Sequence, residues 1–171
     1  MKKMFKKILL TVLSLALLLS VFSCLKDNTD IKYNEGGLNY SLPDYMKKME
    51  VPAAYGDVAY GSLDERNIEF LIYFYPKESL MSQLLLDMNA TVKEYADDFV
   101  LYHGYEKVEE SYSEQECLIT LKYVYEGDFY FDYIVRNEYT LYHVTMTCKA
   151  KDRETYEPTF VKWTKKISMD Y

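Results

Sequence analysis

Two histidines, His103 and His143, and two cysteines well inside the chain, Cys117 and Cys148, are the side chains of these 171 residues best suited to catalysis or metal binding. Their spacing argues for little of either. A zinc site wants His and Cys ligands clustered at short intervals, and no such pair occurs. A Ser-His-Asp arrangement is spatial, but no elbow motif presents a serine. There is no glycine-rich phosphate loop and no dinucleotide fingerprint, so no cofactor and no catalytic residue is assigned. Two acidic groups remain: Glu94, Asp97 and Asp98, then Glu109, Glu110, Glu114 and Glu116. Neither has the alternating spacing of a calcium loop, and a solvated anionic face is expected of both.

Tyrosine is the strongest compositional signal, with 19 in the chain. Its stiff ring and polar tip suit half-buried sheet positions and binding surfaces alike. Tyr60, Tyr73, Tyr102, Tyr105, Tyr112, Tyr125, Tyr130 and Tyr139 do not all fit one core. Tyr130, Tyr139, Leu141 and His143, on the outer face of a sheet, form the expected binding surface. Charge narrows the partners. Four of the 20 basic residues precede residue 24, so removing residues 1–23 leaves 16 against 27 acidic ones, a formal −11. Such a surface repels phosphate backbones and excludes nucleic acid as a partner.

Those four lysines open the chain. Met1 to Lys7 is basic, and Ile8 to Leu19 is an uncharged aliphatic run interrupted only by Thr11 and Ser14. The run is shorter than the roughly 20 residues of a membrane-spanning helix and reads as a secretory signal. It ends in Val21-Phe22-Ser23-Cys24, with an aliphatic residue at −3, a small one at −1 and Cys at +1. This resembles the lipobox of bacterial lipoproteins. The resemblance implies a signal peptide over residues 1–23 and a diacylglycerol thioether on Cys24, which anchors the protein to the outside of a bacterial cell membrane. Leu25 to Gly37, polar with little to bury, reads as a flexible tether. A single domain then spans 38–171.

Within it, Leu38 to Leu42, Ala53 to Gly61 and Asn67 to Tyr75 read as strands, the third apolar enough to be central. Ser79 caps a helix reaching about Tyr102, with Met81, Leu85, Met88, Val92, Tyr95 and Phe99 on one stripe. Tyr105 to Tyr112 is polar, as an edge strand is. Glu116 to Tyr125, Phe129 to Arg136 and Tyr139 to Cys148 form a meander. A register with Tyr123 opposite Phe131, Leu121 opposite Tyr133, Tyr133 opposite Tyr142 and Phe131 opposite Val144 gathers the apolar residues onto one face. It also sets Cys117 and Cys148 about ten residues apart, roughly 33 Å at the rise of a strand. Both are therefore expected to be free thiols, at least half-buried. A last helix, Thr155 to Met169, presents Tyr156, Phe160, Trp163 and Ile167. The class is α+β: an antiparallel sheet of about six to seven strands, with a long helix and a C-terminal helix on one of its faces.

The strand closing at Leu42-Pro43-Asp44-Tyr45, the hairpin, long helix, meander and C-terminal aromatic helix resemble the PsbP/Mog1-like α/β/α sandwich of small lipoproteins. That resemblance implies a binding or accessory module, without catalysis, acting on a protein or cell-envelope component. An extracytoplasmic hydrolase is the alternative and requires a pocket where a serine, His143 or a carboxylate pair meet. Weak binding of divalent cations or of an envelope polymer is a third expectation.

Overall fold

The computed structural model describes residues 29–50 and 57–170. Cys24, the segment before it and Ala53 to Gly56 lie outside the described residues. Strands β1 (Asp30–Glu35), β2 (Leu38–Pro43), β3 (Met46–Met49), β4 (Val58–Ser62) and β5 (Glu69–Pro76) come first. A 3₁₀ turn leads to helices α1 (Leu80–Leu84) and α2 (Val92–His103). Then come β6 (Glu109–Ser113), β7 (Leu118–Tyr125), β8 (Asp128–Arg136), β9 (Thr140–Lys149), α3 (Arg153–Thr164) and β10 (Ser168–Met169). The main sheet has seven strands, all antiparallel, in the order β3-β4-β5-β9-β8-β7-β6. As expected, β5 is interior and polar β6 lies at an edge.

Turn chemistry sets the register. Tyr125 pairs with Asp128 across Glu126-Gly127, whose φ angles are 49° and 88°. Two successive positive φ values make the tight hairpin turn whose twist matches its strands. The loop therefore has two residues where three were expected, and β7 moves by one against β8. Leu121 faces Asp132 and Tyr123 faces Tyr130. A one-residue slip reverses faces, so Ile119, Leu121 and Tyr123 lie on the other face of the sheet from Phe129, Phe131 and Val135 instead of sharing one with them. The next hairpin pairs Tyr133 with Val144 and Phe131 with Met146, shifted by two and so without a change of face. Its turn is held by Asn137, whose Oδ1 accepts from the backbone of Tyr139 at 2.9 Å and Thr140 at 2.8 Å.

The sheet is consequently apolar on both sides, and the helices cover opposite faces, not one. On one side Phe70, Phe131, Val144 and Met146 pack with Phe160 and Trp163 of α3 and with Leu38, Tyr40 and Leu42 of β2. β2 is the middle strand of a small sheet, β1-β2-β10. Asp30–Glu35, expected to be tether, is thus a strand pairing with all of β2. On the other side Ile119, Leu121, Ile134 and Leu141 pack with Leu80 and with Val92, Tyr95 and Ala96 of α2.

The expected long helix is two helices. Leu85 adopts a left-handed φ of 58° and ends α1. Thr91 and Glu94 then cap α2 reciprocally: Thr91 Oγ1 accepts from the Glu94 backbone at 3.1 Å, and the Glu94 carboxylate accepts from the Thr91 backbone at 2.7 Å. Gly104, at φ 65°, closes it. Of the expected stripe, Val92 and Tyr95 are buried while Met81, Leu85 and Met88 are exposed. α3 stops at Thr164, so Ile167 lies beyond it and Met169 is in β10. Cys117 and Cys148 are free, Cys148 buried but Cys117 exposed.

Candidate functional site

Alternation along β5, β9, β8 and β7 places Tyr73 and Tyr75, His143 and Thr145, Tyr130 and Asp132, and Tyr123 on the face that α2 covers. α2 meets that face incompletely. The gap is a cleft of about 640 Å³, within the range of small-ligand sites. The sheet forms its floor, Tyr95, Asp98, Phe99, Tyr102 and His103 of α2 line a wall, and Gln83, Leu84 and Leu85 close one end. Seven of the 19 tyrosines line it: Tyr73, Tyr75, Tyr95, Tyr102, Tyr105, Tyr123 and Tyr130.

Stacking organises these rings. Tyr105 lies on Tyr123 with centroids 4.2 Å apart, Tyr123 on Tyr130 at 5.1 Å, and His103 on Tyr105 at 5.2 Å. Tyr73 and Tyr75 are parallel within 1° at 6.3 Å. Contacts of this kind add to area burial and stiffen the surface.

Beneath the aromatics is a polar floor. Asp132 is fully buried and His143 is 2% exposed. The Tyr123 hydroxyl donates to Asp132 Oδ2 at 2.9 Å, and Asp132 Oδ1 lies 3.3 Å from His143 Nε2. The Tyr95 hydroxyl meets His143 Nδ1 at 2.8 Å, and Thr145 Oγ1 meets Nε2 at 3.2 Å. A buried carboxylate needs donors, so the imidazole tautomer protonated at Nε2 suits Asp132 and leaves Nδ1 to accept from Tyr95. Burial holds the Tyr95 and Tyr123 hydroxyls well above the usual phenol range, as does the Asp132 charge at Tyr123; both remain donors. Burial, with neighbouring Tyr75, pushes Tyr73 up to about 12.

This is not a relay for a nucleophile. Such a relay puts hydroxyl and carboxylate on opposite ring nitrogens. Here the hydroxyl opposite Asp132 is that of Tyr95, a phenol 3% exposed and kept protonated by burial, while the aliphatic hydroxyl at the ring, Thr145, shares Nε2 with Asp132.

The four residues expected to form a surface are separated. Tyr130 and His143 do meet in the cleft, His143 as part of its floor. Leu141 is fully buried against α2, and Tyr139 stands exposed in the β8–β9 loop. His103 lies at the rim, tilted 58° against Phe99 with centroids 4.7 Å apart. Tyr60 belongs to the opposite core, while Tyr112 and Tyr125 are exposed outside the cleft. Asp132 was missed, although an aspartate inside the apolar run Phe129 to Val135 is itself a signal: a buried charge must have partners.

The acidic groups take separate roles, three of their members in ion pairs and Asp98 in the cleft lining. Glu94 serves the helix cap, Asp97 pairs with Lys93, Glu110 lies 3.3 Å from Lys93, and Glu109 lies 2.9 Å from Arg153. Among the described residues no three His, Cys, Asp or Glu side chains gather as a metal site would require. Nor is any described helix long and apolar enough to cross a membrane.

No protein-family profile matches the chain, and no curated protein does. Solved structures do match. Cyanobacterial PsbP (CyanoP) from Synechocystis sp. PCC 6803 is similar with a TM-score of 0.58 at 15% identity, over 84% of this chain and 94% of that one. The Ran-binding protein Mog1p of Saccharomyces cerevisiae is similar with a TM-score of 0.54 at 10% identity, over 83% of this chain and 96% of that one. At such identities the likeness is one of architecture: the chain has the PsbP/Mog1-like α+β fold.

Proposed function

We propose that the protein is a non-catalytic binding module, held at the outer face of a bacterial cell membrane by lipid on Cys24, with its ligand seated in the tyrosine cleft between α2 and the sheet. The carrying observation is the convergence of seven tyrosines on one cleft, beneath which the fully buried Asp132 carboxylate is hydrogen-bonded by Tyr123 and faces His143 at 3.3 Å. Stiff rings present contact area at low entropic cost, which favours recognition. A histidine satisfied at both nitrogens from within is poorly placed to move a substrate's proton. The basic leader and the Val21-Phe22-Ser23-Cys24 sequence support the anchor.

Two measurements test the halves separately. Cys24→Ala is expected to move the protein from the membrane fraction to the soluble one; retention in the membrane refutes the lipid. A ligand-observed NMR fragment screen on the full chain in non-ionic detergent is expected to yield mutually competing hits that weaken in Tyr105→Leu. Hits indifferent to that change, or hydrolytic turnover abolished by His143→Ala, refute the binding reading.

A further inference from the structure

Charge in and around the cleft is one-sided. Its lining includes one carboxylate, Asp98, and neither lysine nor arginine among the described residues. After burial, nearby carboxylates raise the Tyr73, Tyr75, Tyr105 and Tyr130 hydroxyls: Asp57, Glu69, Glu126, Asp132 and Asp128, the last paired with Lys149 at 2.7 Å. Asp132 sits under the floor, reaching the cleft through Tyr123. Aromatic faces carry negative quadrupole potential, so π surface and carboxylates act with the same sign.

Resting on the reading of the cleft as a binding site, we propose that it receives a small organic ammonium ion, quaternary or methylated, held against tyrosine faces and balanced by the Asp98 carboxylate. Competing chemistries fit less well. An anion would meet acidic charge with no lysine or arginine in the lining among the described residues. A hydrated metal ion needs several oxygen ligands to replace its water, and the described residues offer no such group. A sugar needs several fixed polar partners besides stacking; Tyr95, Tyr123, His143 and Thr145 are bonded among the floor residues, which leaves Gln83, Asp98, His103 and the remaining phenol hydroxyls. A methylated ammonium is weakly hydrated and broad, and aromatic cages recognise it by its charge.

Choline and 3,3-dimethylbutan-1-ol have nearly the same shape and differ in charge. Titrating each against the full chain in non-ionic detergent, followed by ligand-observed NMR, separates charge recognition from apolar burial. Choline is expected to bind about ten-fold or more tightly than the neutral isostere. Asp98→Asn, at an exposed position, is expected to weaken choline about three-fold and leave the isostere unchanged. Tyr105→Leu is expected to weaken choline more than the isostere. Equal affinity of the two probes overturns the ammonium assignment while leaving the cleft a binding site. If neither probe binds, the ammonium assignment falls, and the fragment screen alone decides the broader reading.

Discussion

Tyr123→Phe removes one oxygen atom and leaves the ring in place. That oxygen is the donor to Asp132 Oδ2 at 2.9 Å. The other carboxylate oxygen lies 3.3 Å from His143 Nε2 and lacks a well-formed hydrogen bond. The substitution therefore strips a fully buried carboxylate of its best donor without opening a cavity. Hydrogen bonds to charged groups contribute about 1.5–3 kcal/mol net, and relief of the hydroxyl's own burial offsets some of this, so a loss of about 2 kcal/mol is expected. For a domain of this size that is a fall of roughly 6 °C in Tm. Urea unfolding of the full chain at pH 7 in non-ionic detergent measures it, with the slope expected to stay constant. Tyr125→Phe, at an exposed hydroxyl, should cost under about 0.5 kcal/mol. In an Asp132→Asn background the effect of Tyr123→Phe should shrink to about 1 kcal/mol, the value of a neutral hydrogen bond. If Tyr123→Phe cost no more than Tyr125→Phe, Asp132 would not depend on this donor and the account of the floor would be wrong.

Burial pushes the Cys148 thiol up to about 11, whereas Cys117 is exposed. A thiol reagent at pH 8 should therefore modify Cys117 within minutes and Cys148 only on unfolding; equal native rates would contradict the packing of β9. Gly127→Ala should destabilise by about 1 kcal/mol in urea, because φ is 88° while nothing lies within 4 Å of the added methyl. No loss would mean the β7–β8 turn is not the one described. Tyr73 titrates at about 12 in the folded chain against 10.0 in its reference state, so the unfolded chain loses this proton first. Its contribution is fully present below pH 10 and lost as pH rises toward 12, giving alkaline destabilisation that Tyr73→Phe should lessen; an unchanged alkaline limb would count against its burial.

Element types were largely legible because they follow from local chemistry. The apolar run in β5 marks an interior strand, and the polar one in β6 an edge. Phe160 and Trp163, three apart, share the buried face of α3. The helix boundaries were less so: the Met81, Leu85 and Met88 stripe continues the helical period, but Thr91 and Glu94 satisfy a new N-terminus and split it. Half of the expected surface entered the cleft, because Tyr130 and His143 share a face in either register. Leu141 shares that face too, but α2 covers it.

By itself the amino-acid sequence determined the class of fold, the acidity, the wealth of tyrosine and the basic, aliphatic opening up to Cys24 on which the proposed anchor rests. Which face each β7 residue occupies was decided only in three dimensions. An alternating pattern specifies register when one side of a sheet is wet. Here both sides are buried, so either pairing of β7 covers apolar surface, and the positive φ values at Glu126 and Gly127 select one. That single-residue choice puts Tyr123 beside Asp132 and beneath α2, where residues far apart in the chain become one cleft.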